Sequence, residues 1–300
     1  MASEAYRRPE TLTEALALLA EGGPARPLVL AGGTDIYPAQ AAAEAWMRPE
    51  PPRPVLDITA LPGLSAIEDR GDHHRIGALV TWAALRDPAK VLPPAFDGLR
   101  AAAAQVGGVQ VQNRGTVVGN LCNASPAADG VPPLLTLEAE LELAGAGSGV
   151  RRLPLADFLL GNRRTALMPD ELALALVVPK RTAGARAGFL KLGARRYLVI
   201  SIVMAAGVIE AEGGRVASAR LALGACSPVA QRLPAAEAAL RGLPIDPTTV
   251  AAAVRPDHLA QLSPIGDVRA SAAYRQEAAL VLLRRLVSQL AAPGALERAA

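Results

Sequence analysis

The sequence predicts an α+β protein: an α/β portion with two glycine-bearing loops, followed by a smaller portion of antiparallel strands and helices. Three observations carry this. Within the first 58 residues a capped amphipathic pattern precedes two continuous apolar runs, 27–31 and 55–58, of the kind that parallel strands show when covered on both faces. From residue 61 the pattern turns to hairpins and helices. After the Arg-, Gly- and Ala-rich stretch 181–188 the composition resets, and a meander of strands is followed by helical segments.

Thr11 and Glu14 form a capping-box pair ahead of the periodic Leu12, Ala15, Leu16 and Leu19, and Gly22-Gly23 is placed to stop that helix. The segment Ala31-Gly32-Gly33-Thr34-Asp35 then leaves the carboxyl end of the first strand, where ligands gather in open α/β sheets. Residues 64–68 and 75–79 flank the turn set Asp69-Arg70-Gly71-Asp72 and predict an antiparallel pair, which puts His73 and His74 near a solvent-facing turn. Thr81 can cap a helix over 82–86, and a second helix over 95–106 stops at Gly107-Gly108. Residues 138–144 and 150–153 read as another hairpin, and 172–178 as a strand. Residues 189–192, 201–210 and 216–224 predict a three-stranded antiparallel sheet with Gly213-Gly214 at one turn. Helices follow over 234–241, 247–255 and 270–290, the last with a core stripe of Tyr274, Ala278, Val281, Leu282 and Arg285. The domains predicted are 1–58, 59–181 and 182–300.

Composition excludes several classes. The chain has 300 residues, a formal charge of +3 from arginines spread over every segment, and no basic run interleaved with aromatics, so nucleic-acid binding is not expected. The longest apolar stretch, 198–209, is too short for a membrane span, and the N-terminal MASEAYRRPET lacks the apolar core of a signal peptide; a cytoplasmic protein is expected. Cys122 and Cys226 are too few for an iron–sulfur cluster and are not spaced as a metal site. Cys122 reads as a small buried hydrophobe. His73, His74 and His258 lie in no nucleophile or metal spacing, so no catalytic residue is assigned.

Two segments suggest ligand chemistry. The AGGTD run (Ala31 to Asp35) and NRGTVVGNLCNASPAAD (Asn113 to Asp129) both lack bulk and carry hydroxyls and amides. Main-chain N–H groups can approach a diphosphate closely only through such stretches, so the two read as halves of one nucleotide cradle. Asp129, taken alone, reads as a helix cap.

Together these two segments, in this order and at this separation, resemble the FAD-binding subunit of the molybdenum hydroxylases, the family of xanthine dehydrogenase, carbon monoxide dehydrogenase and hydroxybenzoyl-CoA reductase. The resemblance continues through Phe189-Leu190-Lys191 and the SPIGDVRASAAYR run beginning at Ser263, and so spans most of the chain. The NLCNASPAAD wording is closer to the xanthine-dehydrogenase-like branch, and no cysteine-rich insertion for an extra cluster is present. The resemblance implies a two-part FAD-binding domain of the PCMH type followed by a smaller flavoprotein domain.

By position it implies that the first loop, Val29, Leu30, Ala31, Gly32, Gly33, Thr34, Asp35 and Ile36, wraps the FAD diphosphate, and that Thr116, Val117, Val118, Gly119 and Asn120 complete the cradle. Val106 and Gly107 would line the flavin's path, Asp129 would hold a polar part of the cofactor, and Lys191 would reach it. Val118 stands where relatives carry a glycine, so its side chain is expected to narrow the phosphate approach. Gly33→Val is expected to fill the phosphate space and release FAD with the fold intact. The family implies a non-covalent FAD that relays electrons to NAD or another acceptor, with molybdopterin and 2Fe–2S clusters held only by a large and a small partner subunit. The alternative is a stand-alone flavoprotein oxidase or dehydrogenase of the PCMH superfamily, which would carry a substrate domain with acid–base residues and a flavin-linking histidine or cysteine; the sequence shows neither.

Overall fold

The structure, a computed structural model, describes residues 6–21, 26–46, 53–89 and 92–292. The Gly22-Gly23 helix stop lies outside the described residues.

A small parallel sheet opens the chain. Strand β1 (Tyr6–Arg7) leads to helix α1 (Leu12–Glu21), β2 (Leu28–Leu30), helix α2 (Ile36–Ala45) and β3 (Val55–Asp57), and the strand order is β1-β3-β2 with parallel pairing throughout. The capping pair holds: Thr11 Oγ1 accepts from the Glu14 N–H at 3.2 Å, and Ala15, Leu16 and Leu19 are buried. The return bond goes to the Glu10 N–H rather than to Thr11, at 3.3 Å. The sequence predicts two of the three strands; β1 is too short to show a period.

An antiparallel five-stranded sheet follows. Strands β4 (Ile67–Asp69) and β5 (His73–Gly77) pair as predicted. His73 and His74 fall in β5 rather than in an exposed turn. His74 is 5% exposed and sets its ring edge-on to Phe96 with centroids 5.3 Å apart, while His73 Nδ1 lies 2.6 Å from an Asp72 carboxylate oxygen. Helices α3 (Trp82–Leu85), α4 (Asp97–Ala103), α5 (Val109–Arg114), α6 (Val117–Asn123) and α7 (Val131–Thr136) come next. The second glycine-bearing segment is therefore largely helical. Helix α4 starts after a one-turn 3-10 segment, Pro94–Phe96, and ends three residues short of the predicted stop.

Strands β6 (Glu140–Gly145) and β7 (Gly149–Pro154) form the second hairpin, and helix α8 (Leu155–Phe158) leads into the small hairpin β8 (Leu159–Gly161) and β9 (Arg164–Thr165). The long β10 (Glu171–Pro179) then enters between β5 and β6, giving the order β4-β5-β10-β6-β7. Every β10 residue but the last is buried, which explains its unbroken apolar run.

The final portion is a sheet of four strands, not three: β11 (Arg186–Leu192), β12 (Val203–Glu212), β13 (Arg215–Gly224) and the two-residue β14 (Gln231–Arg232), all antiparallel. Helices α9 (Pro234–Leu240), α10 (Pro247–Ala253) and α11 (Ala272–Ala291) follow. The buried stripe of α11 is Arg275, Ala279, Leu282, Leu283, Leu286, Val287, Leu290 and Ala291. Of the predicted stripe only Leu282 is fully buried; Tyr274 and Val281 are about half exposed, at 49% and 52%. The buried stripe begins instead at Arg275, which is 1% exposed and satisfied inside by the Ile202 and Ala225 carbonyls and Asp267.

One apolar core runs continuously from α1 through β3, β5, α3, α6, α7 and β10, so the first two predicted domains share a single interior. A second core lies between the four-stranded sheet and α9–α11. The opposite face of that sheet packs on α4 and α7, close enough that a Cβ on Gly98 would stand 2.9 Å from the Gly188 carbonyl oxygen.

Candidate functional site

The two glycine-bearing segments meet main chain to main chain. A Cβ built on Gly32 would lie 2.0 Å from the Arg114 carbonyl oxygen and 3.0 Å from Gly115 Cα, a separation no side chain permits. Gly33 has φ +72°, in the left-handed region that favours glycine. The contact spans more than eighty residues of sequence. It is reinforced by the Asn123 amide donating to Asp35 Oδ1 at 2.7 Å. The second segment is anchored in turn to α3 and its lead-in, since the Trp82 N–H donates to the Gly115 carbonyl at 3.2 Å and the Val117 N–H to the Val80 carbonyl at 3.0 Å. Thr116 caps α6 by accepting from the Gly119 N–H at 3.0 Å.

Between the segments lies a cavity of about 460 Å³. Val29, Ala31, Gly32, Gly33, Thr34, Asp35 and Ile36 line one part of it, and Val106, Thr116, Val118, Gly119 and Asn120 another. Five residues assigned from sequence are not on its wall. Leu30 and Val117 are buried in the interior. Gly107, at φ +52°, is held against Val111. Asp129 and Lys191 pair with each other: Lys191 Nζ lies 2.6 Å from Asp129 Oδ2, Ser201 Oγ donates to Asp129 Oδ1 at 2.6 Å, and both charged side chains are under 10% exposed. Burial pushes the Asp129 carboxyl up against the opposing pull of Lys191 and Ser201. Asp129 caps no helix, because the cap position of α7 is Gly130.

Val118 is on the wall while packed into the core at 2% exposure. A Cβ on Gly33 would meet the Tyr37 ring at 2.6 Å, so a substitution there acts through the ring and the backbone dihedral rather than by filling the cavity.

The structure adds wall residues that the sequence reading missed, among them Trp82, Gly115, Cys122, Asn123, Ser125 and Arg163. Asn123 and Ser125 sit within the NLCNAS run and were open to assignment from it; Arg163 comes from a distant hairpin that carries no motif. Asn120 Oδ1 is buried at the wall without a hydrogen-bond partner, a group prepared for a polar ligand. Burial pushes the Cys122 thiol up to about 12, so it stays protonated and is a poor nucleophile. None of the three histidines lines the cavity. A cavity whose lining carries one acidic and one basic side chain, no histidine, and an unpartnered amide oxygen suits a nucleotide better than a substrate undergoing acid–base chemistry.

Comparison with known proteins agrees. Residues 2–181 match the FAD binding domain in molybdopterin dehydrogenase, and residues 189–290 match the CO dehydrogenase flavoprotein C-terminal domain. The chain belongs to this family of molybdopterin dehydrogenase flavoproteins. It is 30% identical to the nicotine 6-hydroxylase medium subunit of Paenarthrobacter nicotinovorans, covering 96% of this chain and 97% of that one. To the xanthine dehydrogenase FAD-binding subunit of Escherichia coli O157:H7 it is 29% identical, with 96% of each chain covered. A solved structure of carbon monoxide dehydrogenase from Hydrogenophaga pseudoflava, lacking the Mo-pyranopterin moiety, matches with TM-score 0.83 and 30% identity over 94% of this chain and 95% of that one. Among the described residues no helix is long and apolar enough to cross a membrane, and no cluster of side chains is arranged for a metal ion.

Proposed function

We propose that this chain is the FAD-binding electron-transfer subunit of a multi-subunit molybdenum hydroxylase, working with a molybdopterin-binding large subunit and a small 2Fe–2S subunit and delivering electrons to NAD or another acceptor. The observation that carries this reading is the backbone contact of Gly32 with Arg114 and Gly115, which makes one cavity from two segments distant in sequence. FAD, when bound, supplies exchange between one-electron carriers and a two-electron acceptor. The protein's own part is to hold and orient. Residues 31–36 with Thr116, Val118, Gly119 and Asn120 supply much of the wall, the Asn120 side-chain oxygen offers an unused acceptor, and the protonated Cys122 thiol favours a non-covalent complex. The FAD-contacting roles of Leu30, Gly107, Val117, Asp129 and Lys191 belong to this proposal as support from behind the wall.

The division into units 1–58, 59–181 and 182–300 is part of the same reading, with the first two joined by one core. The two free thiols fit a reducing compartment, and a cytoplasmic location goes with them. The test is to purify the protein in its native assembly and determine cofactors by absorption and metal analysis. FAD recovered with this chain, and molybdenum and iron with co-purifying chains, is expected. A colourless assembly that cannot be reconstituted with FAD, or turnover by the lone chain without molybdenum, would overturn the reading.

A further inference from the structure

We infer that Arg163 is the counter-charge for the diphosphate of the bound cofactor, an inference that rests on the FAD-binding reading above. The cavity needs such a group, because a diphosphate brings two negative charges into a partly enclosed space. Among the described residues that line it, Arg163 is the single cation, and the only other charged residue is Asp35. Lys191, the lysine the family resemblance assigns to FAD, is instead spent on Asp129 away from the wall.

The way Arg163 is held supports a purpose for its side chain. It lies in the turn between β8 and β9 at φ +57°, a left-handed position that hairpins of this kind fill with glycine or asparagine. Its N–H donates at 2.9 Å to the carbonyl of Ala124, itself left-handed at φ 47° at the carboxyl end of α6. Two residues in sparsely populated conformations thus lock the hairpin to the second cradle segment and bring a guanidinium to the wall. The side chain is 60% exposed and stands 3.9 Å from Asp35 Oδ1. So loose and exposed a pair is weak, which leaves the guanidinium free to exchange a distant carboxylate for two phosphate oxygens in its planar fork.

The experiment measures FAD affinity by reconstitution of the deflavinated full chain, in the assembly with which it purifies, for the unaltered protein, Arg163→Gln and Arg163→Lys at several salt concentrations. The expected result is FAD binding about ten- to a hundredfold weaker in R163Q. Binding is expected to be partly restored in R163K, and the salt dependence of the unaltered protein should be reduced in R163Q. FAD affinity of R163Q within twofold of the unaltered protein, or an unaltered protein whose affinity ignores salt, would overturn the assignment while leaving the FAD reading intact. The salt series needs no variant and so decides the matter even if R163Q fails to fold. An unaltered protein that takes up no FAD would remove the reading of function itself, and this inference with it.

Discussion

Gly32 and Gly33 are neighbours with different physical duties. Gly32 is small because another backbone occupies the space its side chain would need, and Gly33 because its left-handed φ is strained for any other residue. Gly32→Ala should therefore prise the two segments apart and abolish retention of FAD through gel filtration. Gly33→Ala, relieved by movement of the half-exposed Tyr37, should keep part of the flavin and cost about 1 kcal/mol of stability. Flavin absorbance per chain with a denaturant curve for each variant checks the order; equal flavin content in both would show that the segment contact is unimportant. At this scale the sequence marks which positions must be glycine but not why, since the Arg114 carbonyl that forbids a Cβ at position 32 is a tertiary neighbour. Burial of polar groups is hidden in the same way. His74, placed by sequence near a solvent-facing turn, is buried because Phe96 packs against its ring, and Arg275 is buried where two carbonyls and a carboxylate meet it.

Elements are joined by buried charge as well as by apolar packing. Lys191 on β11, Asp129 in the loop before α7 and Ser201 just before β12 tie the four-stranded sheet to the cradle portion. Removing one member of such a pair strands the other in a poor solvent, so Lys191→Met should cost about 3–5 kcal/mol in chemical denaturation. Adding Asp129→Asn should recover part of that loss. A K191M variant as stable as the parent would mean the pair is solvated in solution.

Glu210 on β12 offers a pH test. Burial works to raise its carboxyl, but the Ser218 hydroxyl, the Arg220 guanidinium and the Thr182 N–H overcome this and hold it at about 2, against an ordinary 4.5. Because the folded-state value is depressed, its contribution is present above about pH 4.5 and is lost as pH falls towards about 2. Glu210→Gln should flatten the acid limb of a thermal-midpoint profile across that window; an unchanged limb would contradict the assigned network. Strand and helix positions with clear periods, such as α1, the β6–β7 hairpin and β10, are legible from sequence. Two-residue strands such as β1 and β14 are not, because they pair without a pattern of their own. The buried stripe of α11 lies about one position on from the predicted one, with Arg275 facing inward among its apolar residues.

At the scale of the whole molecule, three parts of the fold line the cavity. The parallel sheet contributes the first segment, the helices inserted between β5 and β6 of the five-stranded sheet the second, and the β8–β9 hairpin the guanidinium. The family and the cradle are legible in sequence because they lie in contiguous runs. Arg163 and the Lys191–Asp129 pairing are not, since each depends on packing between segments far apart in the chain. Electrons can pass through such a subunit only if partners stand on either side. The assembly purified with this chain should therefore contain molybdenum and about four iron atoms per FAD for two 2Fe–2S clusters; flavin without either metal would argue for the stand-alone oxidase.

The convergence of the two segments on one ligand is tested most directly by a crystal structure of the protein with FAD bound. The diphosphate is predicted to lie between residues 31–36 and 116–120, within reach of the Arg163 guanidinium. A diphosphate seated away from both segments would contradict the account.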